Sequence, residues 1–287
     1  MKRLVRLLAD ILVALSGIGV FVGLYRFGVM ALIEDLTRLS DVQLTFIRRV
    51  GVVGALFIAY VLVARFYERR EIAELQVRPL ETSVSAFFGA GLIGLTILLL
   101  NATGNYQMIS IRGVPAALGI VGAILAAALL EEAIFRGILF RLIEEHAGTL
   151  EALVVQALIF GSLHFFNEGT SLMTIVSVTL IGAFWTLIFV HTRNLWVVAA
   201  NHFAWNVTIF LSGLPLSGQE AWRSAAPLET IQQGPLWLTG GAFGPEDSIV
   251  TIAVVAAALA RLGYLAWRAG QFREGSWAAA RRDHVCG

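Results

Sequence analysis

Eight apolar stretches, each about 16 to 30 residues long, succeed one another along this 287-residue chain. They cover residues 7–33, 51–66, 83–100, 114–143, 150–166, 171–190, 195–211 and 248–267. A helix crosses the ~30 Å hydrocarbon core with about 20 apolar residues, and in lipid every backbone group must be bonded within the protein. The pattern therefore predicts an all-α fold, a polytopic membrane helical bundle of about eight transmembrane helices forming a single integral membrane domain over residues 1–287. Composition agrees: the chain is 57% hydrophobic and 14% charged, and a mean hydropathy of +0.77 excludes an ordinary soluble domain. A net charge of +1 gives no basic field for nucleic acid, so the partner the composition implies is the lipid bilayer. The single cysteine, Cys286, excludes an intramolecular disulfide and a cysteine-built metal cage.

Cations set the expected orientation. Lys2, Arg3, Arg6, Arg65, Arg69, Arg70, Arg78, Arg141, Arg193, Arg268, Arg273, Arg281 and Arg282 fall on one side of an eight-span topology. Arg38, Arg48, Arg49, Arg112 and Arg223 fall on the other. The positive-inside bias then makes both termini cytoplasmic and puts the long loop 212–247 on the opposite face. In that arrangement the Glu131 end of the fourth span lies toward the cytoplasm. Residues 7–33 are longer than a signal-peptide core and lack a small-residue cleavage site, so they are expected to remain as an anchor. Lys2 is the only lysine, a usage that points to a GC-rich bacterial genome and hence to a bacterial plasma membrane. Between the second and third spans, the charges from Arg65 to Arg78 interleave with Ile72 and Leu75 as in a surface amphipathic turn.

The fourth span is interrupted by Glu131, Glu132 and Arg136. The apolar run before them is about 16 residues, or about 24 Å of helix, and apolar sequence resumes after them, so the charges sit below the membrane surface. Each ionisable side chain there costs about 2.5–3.5 kcal/mol on insertion scales, a cost that suggests use. Glu132 and Arg136 are four apart with the acid first, the favourable order for an ion pair on one helix face. Glu131 is rotated about 100° from Glu132 and is free to face something else.

Further polar residues recur on later spans. The fifth carries Phe160 and His164; the seventh carries His202 and Asn206, four apart and so on one face. Each alone could be interhelical hydrogen bonding. Together, two carboxylates, two histidines and an amide on three spans are simplest to collect in one pocket. There a glutamate and a histidine can deprotonate water, while a histidine and an asparagine can donate to an oxyanion. Those are the parts of a hydrolase. The same groups could serve a polytopic transporter or proton-coupled carrier, but no internal symmetry or pair of broken helices accompanies them. A catalytically silent membrane scaffold would not need every polar residue of the set.

Glu-Glu-x-x-x-Arg, Phe-x-x-x-His and His-x-x-x-Asn, in this order on separate apolar spans, resemble the CAAX protease and bacteriocin-processing (CPBP) family, which includes the Ras-converting CAAX endopeptidases. The resemblance covers residues 115–211. It implies an intramembrane endopeptidase whose substrate is a membrane-embedded or membrane-tethered protein or peptide. By motif, Glu131 resembles the residue that activates water, with His164 as its partner; Glu132 and Arg136 match the supporting pair; His202 and Asn206 match the oxyanion pair. Phe160 matches the motif aromatic. Members of the family are commonly called metalloproteases, and Glu131, His164 and His202 could ligate a divalent metal such as Zn. A metal-free mechanism uses the same residues.

Overall fold

The computed structural model describes residues 2–113 and 117–276. Val114 and Pro115, at the expected starts of the fourth span and of the family core, lie outside the described residues, as do Arg281, Arg282, His284 and Cys286. The apolar stretches are helical, in order α1 (Lys2–Gly23), α2 (Met30–Leu36), α3 (Asp41–Leu62) and α4 (Pro79–Ala102). A short strand β1 (Tyr106–Ile111) then precedes α5 (Ala117–Glu132), α6 (Arg141–Ala147), α7 (Thr149–Leu163), α8 (Leu172–Thr192) and α9 (Leu195–Leu211). Strand β2 (Leu228–Gln232), the one-turn α10 (Leu236–Thr239) and α11 (Ile249–Arg268) complete the chain. The architecture is an all-α polytopic bundle.

Among the described residues, seven helical stretches are long and apolar enough to cross a membrane: Arg3–Leu36, Gln43–Tyr67, Pro79–Ala102, Ala117–Ala147, Thr149–Phe166, Leu172–Thr192 and Ile249–Arg268. The expected eighth, α9, has 17 residues, about 26 Å of helix against a ~30 Å core. Its packing explains how it differs. Helix α9 is clasped by α4, α5 and α8, and Leu195, Val198, Asn201, His202, Trp205 and Ile209 on it are buried. A helix wrapped in protein can carry amides and an imidazole that lipid would not accept. Helix α8 is likewise central, with a continuous buried run from Ile181 to Val190. The outer helices turn side chains such as Phe27, Phe66, Phe87 and Phe166 outward, an apolar surface suited to lipid.

Local chemistry sets the breaks. Ser40 and Gln43 form a reciprocal cap on α3, as Ser171 and Thr174 do on α8. Helices α8 and α9 are joined by a tight turn in which Arg193 adopts left-handed geometry (φ 49°) and Asn194 caps α9 by accepting from the Val197 amide. Arg193 also donates through both terminal nitrogens to Glu144.

Segments at one end of the bundle are tied together. Trp196 donates to the Leu75 carbonyl (2.9 Å), Asn194 to the Gln76 carbonyl (2.7 Å), and the Thr149 amide to Arg273 (3.0 Å). Residues 65–78 are here more than a surface turn: Arg70 pairs with Glu68 and Glu74, Arg141 pairs with Glu68, and Glu74 is buried beneath the Tyr60 hydroxyl. At the other end, β1 pairs antiparallel with β2, with a bulge between Met108 and Ser110. The long loop 212–247 is therefore tied through β2 to the stretch between α4 and α5.

Candidate active site

Helix α5 ends at Glu132 and continues as a π-helical stretch, Ala133–Phe140, before α6. Such wider turns recur at functional sites in helices. Glu131 lies midway along the Ala117–Ala147 span. Its side chain keeps 30% of its exposure, whereas Glu132 keeps 1%. One residue of helical rotation thus separates a buried carboxylate from one that faces open space.

The buried acid is held by two cations or donors. Arg136 Nη1 donates to Glu132 Oε1 at 2.9 Å, and His202 Nδ1 donates to the same oxygen at 2.8 Å. Arg136 is fully buried; its other nitrogens donate to the Gly182 carbonyl (2.6 Å) and Thr186 Oγ1 (3.3 Å), and its guanidinium lies over the rings of Phe160 and Trp185. The ion pair expected from the four-residue spacing is present.

Phe160 packs on that guanidinium, on Phe135 and on His164. Gly182 makes room for it, since a Cβ there would meet Phe160 at 3.0 Å. His164 closes α7 and donates from Nδ1 to the Phe160 carbonyl at 2.8 Å. That bond fixes the neutral tautomer with its lone pair on Nε2. His202 is oriented just as firmly: the Trp185 ring stacks on it at 3.7 Å, and Trp185 is anchored by Asn201, which donates to the Ser85 carbonyl. With Nδ1 committed to Glu132, His202 Nε2 lies 3.8 Å from Glu131 Oε2.

Glu131, His164, His202 and Asn206 line one cavity of about 220 Å³. The Oδ1 atom of Asn206 is buried without a protein partner among the described residues. Glu132 and Arg136 stand behind the wall and not on it, so of the six residues singled out in the sequence, four meet in the cavity and two brace it from behind. The cavity is also lined by Leu216, Ser217, Gln219, Trp222 and Glu246 from the loop 212–247. This corrects the expected placement of Glu131 toward the end where Arg78 and Arg193 cluster. The span runs on to Ala147, and the cavity is lined from the end that bears the long loop.

Glu246 is the functional-site candidate that sequence reasoning missed. It stands in Pro245–Asp247, just before the Ser248 cap of α11, where two acids read as an ordinary solvated helix start. In the structure it is 3% exposed, accepting from Ser217 and from Trp205. Burial pushes its carboxyl above the ordinary range, while His164, His202 and the donated bonds act the other way. Only Trp205, one turn from His202, hinted that a polar partner was wanted there.

As for a metal, no group of three or more His, Cys, Asp or Glu side chains is arranged to hold one among the described residues. His202 Nδ1 is held by Glu132 and His164 Nδ1 by a carbonyl, which leaves Nε2 of each ring as the nitrogen open to a ligand.

A buried constellation of this kind, on three helices of a membrane bundle, defines a candidate intramembrane hydrolase. Residues 113–208 match the family model described as type II CAAX prenyl endopeptidase Rce1-like, in agreement with the family that the three motifs resemble. No curated protein and no solved structure matches the chain.

Proposed function

We propose that the protein is an intramembrane endopeptidase that hydrolyses a peptide bond of a membrane-embedded or membrane-tethered protein. The observation that supports this most is the shared cavity: Glu131, His164, His202 and Asn206 face one space within the bundle. A water there can give its proton to Glu131, which is ionisable, partly exposed and in no ion pair closer than 3.8 Å. His164, with the Nε2 lone pair left by its Nδ1 bond, accepts the water's second hydrogen and aims its oxygen at the scissile carbonyl. As the tetrahedral intermediate forms, the oxyanion is met by the Asn206 amide and by His202. His202 donates there from Nε2 while its Nδ1–H keeps donating to Glu132, so it acts as an imidazolium flanked by two carboxylates. Arg136 neutralises Glu132 and so lets that acid serve as a fixed anchor for the imidazole.

The family's description names prenyl substrates, and a prenylated cysteine peptide is accordingly one substrate to try alongside apolar transmembrane peptides. The test is incubation of the reconstituted protein with such peptides in heavy-oxygen water. Hydrolysis places the label in a new carboxyl terminus; movement of solute or protons with no cleaved product would overturn the proposal in favour of a carrier.

A further inference from the structure

Glu246 is the one ionisable group on the cavity wall that the mechanism above leaves unused. Its position is built with care. Ser217 Oγ donates to Oε2 at 2.5 Å and Trp205 Nε1 donates to Oε1 at 3.2 Å. Ser177 donates to its backbone carbonyl, and the Thr251 hydroxyl donates to the preceding carbonyl of Pro245 at 2.5 Å. The next residue, Asp247, accepts from Ser171 and Thr174 at 3.1 and 2.8 Å, locking the turn onto the start of α8. Among the described residues no arginine or lysine pairs with Glu246, so nothing but neutral donors and the two site histidines meets its charge. A buried, unpaired carboxyl is favoured in its neutral form.

Glu131 and Glu246 therefore share a cavity but not an environment, one partly exposed and the other sealed. Two carboxyl groups separated in this way divide the roles of base and acid. Amide hydrolysis needs both, because an amine cannot depart as an anion. We infer that Glu246 is the acid of the site, delivering its proton to the departing amine nitrogen. The inference rests on the hydrolase reading. In balance, the water oxygen bonds to the carbonyl carbon and its proton goes to Glu131, while the carbonyl electron pair moves onto oxygen. That pair returns, the C–N bond breaks, and the nitrogen takes the proton of Glu246. The products are a carboxyl group and an amine; Glu131 is left protonated and Glu246 ionised, and one proton passing between them through water restores the start.

The test uses the reconstituted full chain and two probes with the same acyl peptide, one an amide and one an aryl ester whose leaving group departs unprotonated. Glu246→Gln is expected to lower amide cleavage by about 10²–10⁴-fold while sparing the ester, and Glu131→Gln to lose both. Equal losses on both probes, or no loss on either, in Glu246→Gln would overturn the inference alone. A wild-type protein that cleaves neither probe would overturn the hydrolase reading and this inference with it. If Glu246→Gln does not fold, the amide-to-ester ratio in Glu246→Asp, whose carboxyl is withdrawn by one carbon, decides: a fall supports the acid role and an unchanged ratio refutes it.

Discussion

Arg136→Ala tests whether the site is braced from behind. Arg136 is fully buried and makes bonds to Glu132, Gly182 and Thr186 while lying over two aromatic faces. Its loss leaves the Glu132 carboxylate buried, with His202 as its remaining donor and Oε2 without a partner among the described residues. Breaking a buried pair by removing one member costs about 3–5 kcal/mol, most of it the stranded charge. Glu131→Gln removes a group that is partly exposed and in no close pair, so it should cost under about 1 kcal/mol. If the stranded charge is the cause, adding Glu132→Gln to Arg136→Met should recover part of the loss, a coupling of about 0.5–3 kcal/mol. Reversible unfolding in mixed micelles, followed by tryptophan fluorescence, reads these variants together with Glu132→Gln alone, which closes the cycle. Equal losses for Arg136→Ala and Glu131→Gln, or strict additivity in the double variant, would show that the pair does not carry the brace.

Asn206→Ala should lower turnover by about 10²–10³ and leave measurable cleavage, as expected for one of two oxyanion donors; complete loss in a folded protein would assign it another role. Gly89→Ala should destabilise the bundle by about 1–3 kcal/mol, because a Cβ there would lie 2.4 Å from the Asn201 backbone oxygen at the α4–α9 contact. A neutral result in the same unfolding assay would mean that the two helices are not so close. Orientation is tested with single cysteines at Ala73 and Ser224 in a Cys286→Ser background. An impermeant thiol reagent on intact cells should label Ser224 and not Ala73, and the reverse would invert the topology read from the arginines.

The parts of the site that could be read from the chain are those where chemistry and lipid conflict. Glu131, Glu132 and Arg136 stand out because apolar sequence surrounds them, and the Glu132–Arg136 bond follows from helix periodicity alone. His164 and His202 were legible for the same reason, although the tautomer of each depends on bonds to the Phe160 carbonyl and to Glu132 that no spacing reveals. Glu246 was illegible because an acid before a helix cap is ordinary, and only the folding back of the 212–247 loop buries it. The β1–β2 pairing was hidden likewise: Tyr106 pairs with Gln232, from which it is separated in sequence by α5 to α9, a long-range contact without a local signature. The bounds of α9 were legible as 195–211, but its enclosure was not, since hydropathy cannot distinguish a helix that meets lipid from one packed against other helices.

Cleavage by Glu131→Gln in a folded protein is the most direct measurement. Gln keeps the size and hydrogen-bonding capacity of Glu but cannot take a proton from water at neutral pH, so general-base catalysis is lost. Wild type and variant, matched for unfolding midpoint, are reconstituted with the same tethered peptide, with chelator added in parallel. An intramembrane hydrolase based on Glu131 predicts product from the wild type with and without chelator and none from the variant. Near-wild-type turnover by Glu131→Gln would contradict it, and loss of wild-type activity on chelation, restored by zinc, would put a metal where the mechanism now has only water and side chains.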